Sequence, residues 1–176
     1  AALIDRFGLQ SCTVIPAIGN DEELFNALGM AGANYLQREI AQGDHEMIGM
    51  GHGRTLSAMV EKLPKFDGST LRFVSLLGGL TKNFAANPHD VMYRIAAKTN
   101  AEAYVMPVPF FLNSAKDMNV MLSQHGVAEV RELGTQATLK LVGIGTTESD
   151  TQIVRSGMVA AEEMDEARRL GCVGEL

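Results

Sequence analysis

The residues with the most capacity for chemistry lie in three glycine-bearing stretches: "GMGHGRT" (49–55), "LLGGL" (76–80) and "VGIGTT" (142–147). Glycines let backbone N–H groups come close to a ligand. The first stretch adds a guanidinium at Arg54 and a hydroxyl at Thr55, and the third adds the hydroxyl of Thr146. Backbone donors beside a forked cation and hydroxyls are the chemistry of anion binding.

The first stretch is not a dinucleotide fingerprint. G-x-G-x-x-G needs a third glycine, and that place is Arg54 when the motif starts at Gly49 and Leu56 when it starts at Gly51. The next apolar run ends in "SLLGGL", with no acid for a ribose. No G-K-[ST] follows, so a Walker loop is also excluded. Two readings remain. Gly51 and Gly53 open the backbone to a phosphate that Arg54 and Thr55 then hold, or the stretch is only a sharp strand-to-helix turn with a solvated Arg. "LLGGL" and "VGIGTT" carry the same pair of readings, but three such stretches at predicted strand exits together point to a ligand site.

Acid–base chemistry has less to work with. Glu148, Asp150, Asp117 and His89 lie near loops or helix starts, and none forms an evident pair. His89 and Asp90 suit a first helical turn, and His125 and Gln124 a helix end. His45 and Glu46 precede a strand, at the end away from the glycine loops. The histidines show no metal-ligand spacing, so no metal or cofactor is expected. Met30, Met47, Met59, Met92 and Met121 sit on apolar faces and read as core.

The elements that must position these loops alternate. The pattern predicts strands over 12–18, 47–51, 71–77, 102–109 and 138–145. Between them run predicted helices. One starts at Asp21, lines a face with Leu24, Leu28, Ala31, Tyr35 and Ile40, and stops at Gly43. Another buries Leu56, Met59, Val60 and Leu63. A third starts with Asn87 as its cap and Pro88 at its first position. Two more cover "SAKDMNVMLSQHG" and "VAEVREL", and a last one spans 156–171. Strands alternating with helices imply parallel pairing, hence an open three-layer α/β domain with a mostly parallel, Rossmann-like sheet. In such sheets ligands bind beyond the C-terminal strand ends, which selects the loops 51–55, 78–87, 108–113 and 143–147.

A chain of 176 residues fits one domain, or most of one, spanning 1–176, and its net charge of −6 disfavours direct nucleic-acid binding. Two cysteines, Cys12 and Cys172, make no disulfide framework, and no apolar run is long enough to span a membrane, so a cytoplasmic protein is expected.

In order along the chain, "LIDRFGLQSCTVIP", "GMGHGRTLS", "LLGGL", "NPHDVMYRIAAKT", "PVPFF", "MLSQHGVAEV" and "LKLVGIGTT" resemble the effector-binding domains of SorC-family bacterial transcriptional regulators. The resemblance covers essentially the whole chain. It implies a fold similar to sugar-phosphate isomerases and glucosamine-phosphate deaminases. It also implies a phosphorylated sugar or polyol effector and an oligomer, dimer or tetramer. DNA would be reached only through a helix-turn-helix ahead of this chain. Carried over position by position, the family's phosphate loop matches Gly53, Arg54 and Thr55, with Gly51 before it. Its second loop matches Gly78, Gly79 and Leu80, and the contact at the next helix start matches Asn87. Its third loop matches Gly143, Gly145 and Thr146. One relative of this type has Arg before the glycine pair, where this chain has Leu77, and an acid where it has Thr146. Those departures imply fewer charged groups on the ligand or another sugar skeleton. The family continues past this point with a glycine-rich turn and a Lys, so the chain reads as a fragment whose site is incomplete at its C-terminus. The leading expectation is a non-enzymatic sugar-phosphate sensor. The alternatives are an isomerase or deaminase on the same scaffold, or an oligomerisation module without ligand.

Overall fold

The computed structural model describes residues 2–17, 19–80, 91–109, 111–155 and 157–176, with only the backbone described for Gly79 and Leu80. The elements follow the alternation in the sequence. Helix α1 (Ala2–Phe7) is followed by α2 (Asp21–Gln42), β1 (Met47–Met50), α3 (Arg54–Lys62), β2 (Arg72–Leu80), α4 (Met92–Thr99) and β3 (Glu102–Pro109). Then come α5 (Ala115–Leu122), α6 (His125–Gln136), β4 (Leu139–Leu141), α7 (Gln152–Arg155) and α8 (Ala161–Arg169).

Four strands form one sheet in the order β3-β2-β1-β4, and every pairing is parallel. The strands alternate between two cores. Ile48, Met50 and Phe73 face a core shared with α2, α3 and α4. Met47 and Val74 face the opposite side, where Val130 and Leu133 of α6 pack. Helices on both sheet faces make the expected three-layer α/β fold. The order has one further consequence. From β1 the chain goes through α3 to β2 on one side, and it returns through α6 to β4 on the other. The connection therefore reverses between β1 and β4, and the crevice at their C-terminal ends is where open α/β sheets bind ligands.

The strand expected over 12–18 does not form over its described residues, 12–17. Residues 11–17 make no strand, and Val14 is 75% exposed. An apolar run becomes a buried strand only where a neighbouring edge pairs with it, and β3-β2-β1-β4 supplies none here. The apolar face of α2 also differs from expectation. Its buried residues are Gly29, Ala33 and Leu36, not the larger side chains at Leu24, Leu28 and Tyr35. A Cβ on Gly29 would lie 2.7 Å from the Ala58 carbonyl carbon, so α2 uses a small residue to approach the α3 backbone. The face predicted for α3 is correct: Leu56, Met59, Val60 and Leu63 are all at most 5% exposed. Among the methionines, Met47, Met59 and Met92 are core, whereas Met30 is 48% exposed. The last helix, expected over 156–171, forms only as α8 (Ala161–Arg169), with the short α7 ahead of that range; Ile153 of α7, Met158 between them and Met164 of α8 form a separate small cluster.

Candidate functional site

At the β1 exit the sequence turns sharply into α3. Gly53 caps the helix with φ 118° and ψ 170°, a region open essentially to glycine alone. A Cβ there would meet nothing within 4 Å. The glycine is thus required by backbone conformation, and the space in front of it is open. No side chain caps α3, and Ser57 N–H makes the first helical bond, to Gly53 O at 2.9 Å. The first-turn amides of Arg54, Thr55 and Leu56 therefore have no partner inside the helix and carry its positive end. The Arg54 guanidinium lies over the Phe25 ring, 4.5 Å from its centroid. That stacking holds the cation at the loop, and no carboxylate among the described residues pairs with it.

A cavity of about 300 Å³ opens in front of this turn. Gly53, Arg54 and Thr55 form one wall, and Gly143, Gly145 and Thr146 of the loop after β4 form another. The structure thus brings together the first and third predicted loops at the β1/β4 crevice. Gly51 stands behind the wall. Its N–H donates to Leu141 O at 2.8 Å, so that amide joins β1 to β4 and is not offered to a ligand.

The second loop lies elsewhere. Sequence reading ends the strand at Leu77, but β2 runs on to Leu80, with Gly78 opposite Met106 and Leu80 opposite Pro109 across register irregularities. A Cβ on Gly78 would sit 2.6 Å from the carbonyl oxygens of both Val108 and Pro109. Gly78 is there because β3 passes too close for a side chain. Gly78 does not line the cavity, whereas Leu77 does. Asn87, together with His89 and Asp90, lies outside the described residues.

Several lining residues were not singled out in the sequence. His52, inside the first glycine motif, reaches Ser75 Oγ with its Nε2 at 3.2 Å. The fully buried Ser75 hydroxyl donates to Leu77 O at 2.7 Å. A hydroxyl has one proton, so His52 Nε2–H is the donor to Ser75. This relay ties the β1 loop to the end of β2. His52 was legible from its place between two glycines. Phe25, on a distant helix, and Thr151, Ile153 and Met158 around α7 gave no local signal. Neither did Glu175, which the chain folds back to place there. Gly145 and Glu175 exchange backbone hydrogen bonds at 3.0 Å in an antiparallel bridge, and the Glu175 side chain lies against Gly145. Burial raises the Glu175 carboxyl above the usual carboxylate range.

The acids considered for catalysis are not at this cavity. Glu148 is exposed and 3.8 Å from Arg168. Asp117 receives the Ser114 hydroxyl at 2.8 Å at the start of α5. His45 bonds Thr138 Oγ1 at 2.8 Å at the other end of the sheet. Among the described residues no group of acids, histidines and cysteines could hold a metal ion. No described helix is long and apolar enough to cross a membrane.

The Sugar-bind family model, described as "Putative sugar-binding domain", matches residues 1–176. The chain belongs to the Sugar-bind family. Over 174 residues this Sugar-bind chain is 58% identical to the erythritol catabolism regulatory protein EryD of Brucella abortus, covering 99% of this chain and 55% of that protein. It is 27% identical to the transcriptional regulator LsrR of an Enterobacter species, over 99% of this chain and 52% of the relative. The Sugar-bind chain thus spans about half the length of the curated relatives it matches. Its fold superposes on a DeoR family transcriptional regulator from Listeria monocytogenes with a TM-score of 0.86 at 21% identity, covering 99% of this chain and 68% of that one. The full-length sorbitol operon regulator SorC from Klebsiella pneumoniae gives 0.79 at 26% identity, with 99% and 57% covered. The SorC-type resemblance seen in the ordered motifs is therefore correct.

Proposed function

We propose that this Sugar-bind chain is the effector-sensing part of a longer transcriptional regulator of carbohydrate catabolism, and that its effector is a phosphorylated sugar or polyol held in the β1/β4 cavity. The observation that carries this reading is the wall made by Gly53, Arg54 and Thr55. It combines an uncapped helix start, a stacked cation and a hydroxyl around about 300 Å³ of space, which suits a phosphate. Gly143, Gly145 and Thr146 stand opposite, and Glu175 at the cavity wall is suited to accept hydrogen bonds from sugar hydroxyls. A polyol is favoured because the relative EryD is named for erythritol catabolism. Gly78 is left with a structural role in this reading. Asn87 keeps its expected place as a ligand contact.

DNA binding then belongs to a segment outside this chain, and the regulator works in the cytoplasm as a homo-oligomer. The effector must bind one state of that oligomer better than the other to change DNA affinity. We read the domain as a sensor and not as an isomerase or deaminase, since its matched relatives are named as regulators and Glu148 and Asp117 point their chemistry elsewhere. Calorimetric titration of the whole protein with phosphorylated and free tetritols, pentitols and hexitols tests this. Saturable binding by a phosphorylated member, with altered operator affinity, is expected. The reading fails if none binds and operator affinity never changes.

A further inference from the structure

We propose that Thr151 selects the effector, its hydroxyl being held in readiness for a hydroxyl of the ligand; this rests on the cavity being the effector site. Among the described residues, Thr151 Oγ1 is the buried side-chain oxygen or nitrogen left without a hydrogen-bond partner. It belongs to a residue that lines the cavity. The other buried hydroxyls show what is missing. Thr99 Oγ1 donates to Ile95 O at 2.7 Å, and Ser75 Oγ to Leu77 O at 2.7 Å. Native proteins pair almost all such groups, and each orphan calls for an explanation.

The local turn does not supply one. Thr151 O accepts from Val154 N–H at 3.1 Å and Arg155 N–H at 2.9 Å, so the backbone alone closes the α7 turn and the side chain plays no capping role. The surroundings narrow what could pair with it. Ile153 and Met158 make the adjoining wall apolar, and the Glu175 carboxyl lines the same cavity. A second phosphate would be repelled by that carboxylate. An alcohol can both accept from Thr151 and donate to it or to Glu175. The group that fits is therefore a hydroxyl on a polyhydroxy chain whose phosphate lies at Gly53–Thr55. A site with a buried polar group rejects analogues that lack its partner.

Thr151→Val removes the hydroxyl and keeps the branched shape; Thr151→Ser keeps the hydroxyl. Both are made in the whole protein. Thermal melts are compared without ligand, and affinities are measured for glycerol 3-phosphate, ribitol 5-phosphate, glucitol 6-phosphate and n-pentyl phosphate. Thr151→Val should melt at or above the wild-type temperature, because an unsatisfied group has been removed. It should bind the best polyol phosphate roughly tenfold more weakly, as loss of one hydrogen bond to a buried polar group implies, with no loss for n-pentyl phosphate. Thr151→Ser should keep the discrimination. A lower melting temperature for Thr151→Val shows that the hydroxyl has a partner in the free protein and overturns the inference. So does unchanged polyol-phosphate affinity, and in that case the site reading stands. If the wild-type protein binds none of these phosphates, the site reading falls and the inference falls with it.

Discussion

Gly53 and Gly78 look alike in the sequence and do opposite things in the fold. At Gly53 the backbone has a φ of 118° and open space where a side chain would go. At Gly78 the backbone lies within a strand, and the same position is filled by two carbonyl oxygens of β3. The first glycine faces space that the described residues leave open. The second lets two strands of the protein approach each other. A glycine-rich motif therefore marks a ligand loop only where the space it leaves is empty.

The strongest way to break this comparison is at Gly78. Alanine there would press its Cβ into backbone atoms of β3 that cannot swing aside, so β2 and β3 must separate. A loss of about 3 kcal/mol is expected, at the upper end for overpacking, measured by urea denaturation. A Gly78→Ala protein of wild-type stability would show that the strands are not as close as described.

Gly53→Val should cost less stability, about 1–3 kcal/mol from backbone strain alone, because nothing obstructs the added side chain. Its effect on effector binding should be larger than on folding, since the side chain would project into the cavity. Wild-type effector affinity in Gly53→Val would remove the phosphate-cradle assignment. Thr55→Ala tests the same wall more gently. Binding should weaken by roughly 1–2 kcal/mol through loss of one charge-assisted hydrogen bond, with the melting temperature nearly unchanged. If folding suffers and binding does not, Thr55 is a structural residue and the two loops are more alike than the geometry implies.

What could be read from the sequence follows the same division. Parallel strands, alternating helices and the α3 face were legible because local periodicity encodes them, and Leu56, Met59, Val60 and Leu63 fall where it put them. The strand over 12–18 was misread because burial of an extended run depends on a pairing edge that no local pattern reveals. At the cavity, Gly53, Arg54, Thr55, Gly143, Gly145 and Thr146 were legible as two loops at adjacent strand exits. Gly51 and Gly78 stand away from the cavity wall, and this was not legible because a bond to Leu141 O and a near contact with Val108 and Pro109 are tertiary facts. Phe25, Thr151 and Glu175 come from elements far away in sequence, so only the fold places them beside the glycine loops.

Glu175 sharpens the comparison by the smallest expected effect. Its backbone bridge to Gly145 closes the third loop from one side, and its carboxyl lies against that glycine. Desolvation raises its pKa in the folded protein, so the folded state binds the proton more tightly than the unfolded chain does. The sign follows from linkage: with more protons bound in the native state, stability falls as pH rises. The fall begins at the ordinary carboxylate pKa and ends at the raised one. At neutral pH the charged, partly desolvated carboxylate opposes the docking of the 172–176 segment; well below the ordinary carboxylate range it is neutral in both states and the opposition is gone. Glu175→Gln, neutral throughout, should therefore melt slightly above the wild-type protein at pH 7, and the difference should vanish near pH 3, about a unit or more below the ordinary carboxylate pKa. A Glu175→Gln protein that is less stable at pH 7 would mean the carboxylate has a favourable partner in the folded state. The third loop would then be closed by an ionic contact of its own, leaving Gly53 as the open glycine of the site.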